Sequence, residues 1–415
     1  MVVPSSEVIR IDPRDLITPP YDDCPACGES GELGLVTVTA TGYIKRCRRC
    51  MGAQTFDLPT LAPKRVLYLD QMAISNLLKT RLPAHQHKFA DDNPATQFGF
   101  WPRLLDRLER LVHLNLLVCP RSSIHDLEAA FNDRLSGGLR SFHEQLAGDI
   151  KLEHHATVKI FQLELACRGW LEGREPAPLD AGGVVRGHLD GWLDRFVVNA
   201  YFPVTPDEIS KLRTERDRID QDLQDWFRRS CQMSSPSFDA LFRRELEAYG
   251  PGLMKPDYSG SLMMRLRAQL EDHGVAPEQW RGQIDAFLQS EAPTNVHFAQ
   301  IAAAMLAALA WRAARNQLSP PTRGLRADLQ AISTYLPYVD AMFLDNECAR
   351  VLREAPLQSR LPYTTRILSI DSQDELLDWL TEIEDQAPPG HLDLVERIYG
   401  PGWLKPRNAS EQTRG

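Results

Sequence analysis

Apolar residues in this chain follow two periods, and the places where one gives way to the other mark out the elements. Over residues 33–43 apolar and polar positions alternate, the pattern of a strand with one buried face. Four other stretches, 66–69, 114–118, 341–344 and 366–370, are short and largely apolar, as in strands buried on both faces of a parallel sheet. Helical spacings follow them. Met72, Ile74, Leu77 and Leu78 suit a helix after Asp70, and residues 104–111 form another. Ser122 or Ser123 caps a third, which runs through Ile124, Leu127, Glu128 and Phe131. Strand followed by helix, more than once, predicts an α/β domain with a parallel sheet.

Between residues 135 and 320 the pattern is helical only. Residues 151–171, 208–228, 237–249, 261–271 and 295–316 read as helices, the last with Phe298, Ile301, Met305, Leu309 and Ala313 in one buried stripe. Strand character returns at 341–344, after a helix that carries Asp328 and a break at Leu336-Pro337. The predicted organisation is an extended leader (1–22), a small cysteine-bearing unit (23–57) and an α/β domain in two halves (62–135 and 320–390). A helical insertion (136–319) separates the halves, and a short helix and disordered tail (391–415) end the chain.

Composition narrows the function classes. The net charge is −9, so nucleic-acid contact would have to come from local basic patches. No basic segment followed by an apolar run opens the chain, and the longest apolar helix is interrupted by Arg312. No membrane partner and a cytoplasmic location are therefore expected. The cysteines point the same way. Cys24, Cys27, Cys47 and Cys50 form two CxxC pairs flanking the alternating run, the pattern of a zinc ribbon whose four thiolates make a closed, structural Zn²⁺ site. Cys119, Cys167, Cys231 and Cys348 lie singly and read as inert buried thiols. Lys45, Arg46, Arg48 and Arg49 crowd the second knuckle, either as a solvated rim or as a phosphate-contacting patch.

Three predicted strands end in an acid: Asp70, Asp345 and Asp371. A fourth leads into the helix with Glu128. Ligands of an open parallel sheet sit beyond the carboxyl ends of its strands, so these acids should converge there. Clustered carboxylates need cations, and hard oxygen donors select Mg²⁺ or Mn²⁺. Asp340 precedes its strand and reads as structural, at the opposite pole; Asp371 is a candidate outer partner, and His125 a packed or solvent residue.

The segments LYLDQMAISNLL, SSIHDLEAAF, ADLQAI and MFLDN, in that order, resemble the PIN-domain nuclease family over residues 62–135 and 320–385. The resemblance implies an α/β/α sandwich with an acidic, Mg²⁺- or Mn²⁺-dependent site that cleaves RNA. Asp70, Glu128, Asp328 and Asp345 take the positions of the family's acids; Asp70, Glu128 and Asp345 would hold the metal and Asp328 complete the site. Gln71 and the long insertion depart from the family's pattern. The expected activity is endonucleolytic phosphodiester hydrolysis with RNA favoured, in a bacterial toxin or phage-defence setting, the ribbon or insertion positioning substrate or a protein partner. The rival readings are a non-catalytic nucleic-acid or protein binding module on a degenerate fold, and a structure-selective DNA nuclease.

Overall fold

The computed structural model describes residues 12–86, 97–131, 135–194, 205–234, 236–252, 256–317, 320–322, 324–361 and 363–404. The cysteine-bearing part is an antiparallel sheet of β1 (Thr18–Asp22), β2 (Leu33–Val38), β3 (Gly42–Cys47) and β4 (Ala53–Asp57), in sequential order. β1 lies in the stretch read as a leader. Its Pro19 and Pro20 disguise a strand, yet they are tolerated because β1 is an edge that pairs only with β2. The tail expected to be disordered, beyond residue 404, lies outside the described residues.

The chain then runs β5 (Arg65–Leu69), α1 (Gln71–Arg81), α2 (Pro83–Gln86), α3 (Gln97–His113), β6 (Leu117–Val118), α4 (Ser123–Ala130) and α5 (Ser136–Ala147). Next come β7 (Lys151–Leu152), α6 (His155–Glu172), β8 (Val185–Arg186), α7 (Pro206–Cys231), α8 (Phe238–Gly252), α9 (Pro256–Asp272), α10 (Trp280–Gln289) and α11 (His297–Ala313). It closes with α12 (Leu325–Tyr335), β9 (Ala341–Phe343), α13 (Asn346–Arg353), α14 (Leu357–Arg360), β10 (Arg366–Leu368), α15 (Gln373–Asp385) and α16 (His391–Tyr399).

β10, β9, β5 and β6 form a parallel sheet in that order. The fold is mixed α/β, as expected. β6 is shorter than the apolar run 114–118: Asn115 adopts a left-handed conformation (φ 59°) and Leu116 N–H bonds back to Leu111 O at 3.0 Å, so Leu114–Leu116 is spent on the C-terminal turn of α3. The region expected to lack strands holds β7 and β8, an antiparallel pair. Lys151 also bridges in parallel to Arg121, tying this pair to the chain leaving β6. Two-residue strands carry no readable period, and Lys151 and Leu152 were absorbed into the predicted helix.

Alternation along the sheet separates two cores. Val66 and Tyr68 of β5, with Met342 and the following Leu344, pack with Ile301, Met305 and Leu309 of α11 and Ile332 and Tyr335 of α12. Leu67, Leu69, Ala341 and Phe343 face the other way, onto Ile74 and Leu77 of α1, Leu104 and Leu108 of α3, and Leu376 and Leu380 of α15. Helices of the long middle segment thus cover one sheet face. The cysteine-bearing sheet docks elsewhere: Leu35, Val38 and Tyr43 meet Leu114, Trp192, Val395, Ile398 and Tyr399. Leu114 precedes β6, so this contact lies towards the amino ends of the parallel strands. Among the described residues no helix is long and apolar enough to cross a membrane.

Strand order places the site. From β5 the chain moves out to β6, then returns to the other flank for β9 and β10. The switch lies between β5 and β9, and ligands of such sheets sit in the crevice beyond the carboxyl ends at that point.

Candidate functional site: an acidic crevice at the sheet switch point

Asp70 follows β5 directly and is the N-cap of α1, its carboxylate accepting from Ala73 N–H at 2.8 Å. Asp345 caps α13 after β9 and accepts from the amides of Glu347 (2.7 Å) and Cys348 (3.0 Å). The two strand ends are joined, since Asp70 N–H donates to Phe343 O at 3.0 Å. Capping explains a short polar residue at each position, but Ser or Asn would cap equally well without a buried charge.

Two helices from opposite sides add further acids. Asp328 stands in the first turn of α12, and Glu128 in the second turn of α4. One carboxylate oxygen each from Asp328 and Asp345 and the sulfur of Cys348 lie within 4.8 Å of one another. Asp70 and Glu128 are outside that tight triple, yet their charges reach it. Burial, opposed by the Ala73 amide and reinforced by Asp345, raises Asp70 to about 7. Burial and then Asp70 raise Glu128 to about 7. Asp328 is pushed well above the ordinary carboxylate range by burial and then by Asp70, Asp345 and Glu128. The charged groups that dominate these shifts are all acids, and among the described residues none of the four carboxylates pairs with a lysine or arginine. Without a cation, Asp70, Glu128 and Asp328 are pushed towards the protonated form.

The floor is aromatic. Tyr68 lies buried under the acids, its hydroxyl held neutral by burial and then by Glu128. It stacks on His125 (4.9 Å between centroids) and Tyr335 (6.0 Å). His125 is packed, as one of its expected readings had it. Its Nδ1 accepts from Ser122 N–H at 3.1 Å, which leaves Nε2–H to donate to Leu69 O at 2.7 Å. Burial brings it down to about 4, so it stays neutral and pins the end of β5 one residue before Asp70.

Of the other sequence candidates, Asp340 falls outside the crevice and Asp371 lies beside Asn346, the residue that follows Asp345. Asp340 sits at the amino end of β9, pairing with Arg65 at 2.9 Å and accepting from Val66 N–H at 2.8 Å, at the opposite pole as expected. Asp371 is exposed and accepts from the side-chain amide of Asn346 at 2.8 Å. Cys119, Cys167 and Cys348 are buried, but Cys231 is exposed, correcting the expectation that all four lone thiols are buried. Sequence reasoning passed over Cys348 and Tyr68. A signal for Cys348 existed: it stands three residues after a capping Asp, and so on the turn that faces the cap. A second omission is basic. Lys159 of α6 lies 5.5 Å from the centre of the Phe298 ring, and burial and then Arg326 bring it down to about 8. Arg326 is on α12, as is Asp328, and the α4 residue Ser123 hydrogen-bonds His155 at 2.9 Å. Among the described residues neither Lys159 nor Arg326 pairs with a carboxylate.

The second centre is the four-cysteine cluster. The sulfurs of Cys24, Cys27, Cys47 and Cys50 lie within 4.8 Å of one another and could hold a metal such as zinc. Cys24 approaches Cys50 at 3.7 Å, and Cys27 approaches Cys47 at 3.8 Å. Amides of Arg49 and Cys50 point at Cys47 Sγ (3.3 and 3.5 Å), and Gly52 N–H at Cys50 Sγ (3.4 Å), dipoles that favour thiolate. Gly28 (φ 75°) and Met51 (φ 59°) take the left-handed conformation that closes each knuckle. Arg48 pairs with Glu32 and Arg49 with Glu29, which favours the solvated rim over the phosphate patch for these two, whereas Lys45, paired with Asp22, is buried and belongs to neither.

A mixed α/β protein with a parallel sheet, an acidic crevice at its switch point and a four-cysteine cluster is what fold and sites define. Compared with known proteins, the chain matches no family model, no curated protein and no solved structure.

The acid cluster carries a pH signature. Asp70 holds its proton to about 7 in the folded chain, against 3.8 as the ordinary value. In buffer without Mg²⁺ or Mn²⁺, it should therefore cost the wild type stability as pH rises from about 4 to about 7. Asp70→Asn removes that cost: its gain is near zero at pH 4 and grows to at most about 4 kcal/mol above pH 7. Urea unfolding of zinc-loaded protein at pH 4.5 and 8 checks this; an equal gain at both pH values rejects it.

Proposed function

We propose that the protein is a metal-dependent endonuclease on a PIN-like α/β/α fold, with RNA the favoured substrate. The observation that carries the reading is the convergence of Asp70, Glu128, Asp328 and Asp345 at the switch point with no basic partner among the described residues. Such a cluster is costly as a structural device and useful as a cation site. Asp328 and Asp345, with Asp70 and Glu128 beside them, would hold Mg²⁺ or Mn²⁺, which when bound supplies an activated water and neutralises charge developing on a phosphodiester. The protein's own groups do the rest. Capping amides fix Asp345 and Asp70, His125 fixes the strand end between them, and Tyr68 closes the floor to water. Exposed Arg326, two residues before Asp328 on α12, would supply positive charge for a phosphate backbone. The four acids follow one another along the chain in the order on which the family resemblance rests, and zinc at the four cysteines would be structural.

The test is cleavage of labelled single-stranded RNA by zinc-loaded protein. Cutting with Mn²⁺ that stops in EDTA and returns with Mn²⁺ supports the reading; intact RNA with bound metal rejects it in favour of a binding module. Faster cutting of branched or duplex DNA would shift the substrate class and leave the site assignment standing.

A further inference from the structure

The tightest group in the crevice is not made of acids alone. Cys348 is fully buried, and its sulfur lies within 4.8 Å of a carboxylate oxygen of both Asp328 and Asp345. Its backbone amide donates to Asp345 at 3.0 Å, so the turn that fixes the cap also fixes the cysteine beside it. A cysteine kept only for packing sits in apolar surroundings, because carboxylates beside a thiol are themselves costly to desolvate. Here two carboxylates and a thiol share one small space, the donor count and proximity of a ligand set. The four ribbon sulfurs form a separate group.

Resting on the reading of the crevice as a cation site, we propose that Cys348 is a ligand there and tilts the site from Mg²⁺ towards borderline divalent cations such as Mn²⁺, Co²⁺ and Zn²⁺. Carboxylate oxygens alone suit Mg²⁺; one thiolate among them does not, since Mg²⁺ is hard, demands near-octahedral oxygen coordination and dehydrates reluctantly. Borderline ions accept mixed oxygen and sulfur donors. On binding, the sulfur–metal bond forms as the S–H bond breaks, and the proton leaves to solvent, with no change of oxidation state. Cys348 thus decides which cation serves a site whose acids would otherwise leave the choice open.

Co²⁺ reports the ligand directly, because thiolate coordination gives an intense near-ultraviolet charge-transfer band that carboxylates do not. Titrating zinc-loaded full-length protein with Co²⁺ should develop that band. Cys348→Ser should lose it, together with about tenfold or more in Co²⁺ affinity, while Mg²⁺ affinity changes little. Cys348→Asp should bind Mg²⁺ more tightly than the wild type does. Co²⁺ binding that Asp345→Asn abolishes, with no thiolate band in the wild type, overturns the role of Cys348 and leaves the acid site intact. A thiolate band that disappears in Cys348→Ser, from a protein that cuts no nucleic acid, upholds the ligand and overturns the nuclease reading. Zinc release followed alongside shows whether Co²⁺ has entered the four-cysteine site; with none released, the wild-type spectrum decides even if a variant fails to fold.

Discussion

On the nuclease reading, Asp345→Asn should all but abolish Mn²⁺-dependent RNA cleavage while the protein melts at or above the wild-type temperature. The substitution is chosen for what it retains. Asp345 caps α13 through the amides of Glu347 and Cys348, and Asn is as good a cap, so helix and strand end stay in place. What is lost is one negative charge in the group that brings Asp328, Asp345 and Cys348 within 4.8 Å. A cation that loses a charged ligand is held less tightly and steadies the transition state less, so a loss of about a thousandfold is expected. Asp70→Asn keeps the bond from Ala73 N–H and should lose activity to a similar degree. Asp340→Asn is the control. Its carboxylate bonds Arg65 and the Val66 amide at the other pole, so its charge can go with at most a modest loss of stability and with activity retained. Folded Asp345→Asn cutting at the wild-type rate would sink the assignment. So would an inactive Asp340→Asn beside an active Asp328→Asn.

The second large effect is at the cysteine cluster. Elemental analysis should find one zinc fewer per chain in Cys47→Ser than in the wild type, whatever the acidic crevice holds. Cys47 is fully buried and its sulfur is the target of two knuckle amides, so a serine oxygen there replaces the most enclosed ligand with a poor one. Binding at such sites is worth about 10–16 kcal/mol of folding energy. That is more than four short strands generate by themselves. Hydrogen exchange should show β1 to β4 losing protection, and α16 loosening, because Leu35, Val38 and Tyr43 pack against Val395, Ile398 and Tyr399. The parallel sheet should stay protected, since no residue of the cysteine-bearing sheet enters either of its two cores. Unchanged zinc content, or collapse of all these elements together, would reject this account.

Asp70 and Asp345 were legible in the sequence because each ends a short apolar run and opens a helical spacing, and both signals lie within a few residues. The four cysteines were legible because two knuckles and the alternating run between them are local patterns. Glu128 was suggested by the helix that follows a predicted strand, and its role and that of Asp328 came from resemblance, the order of short motifs standing in for geometry. The adjacency of β5 and β9 belongs to tertiary structure: Asp70 N–H meeting Phe343 O is a bond between residues far apart in the chain. Local periodicity says which side chains seek burial but not which partner buries them, and that depends on loop closure and on packing summed over both cores. The same limit hid β1 behind its prolines, β7 and β8 behind their length, and the last turn of α3 behind an apolar run that looked like strand. Cys348 shows the limit at its sharpest. In sequence its spacing from the capping Asp345 was the one signal that set it apart from a packing thiol. Only the tertiary structure brings Asp328 beside Asp345 and that thiol, the proximity on which the proposed ligand role rests.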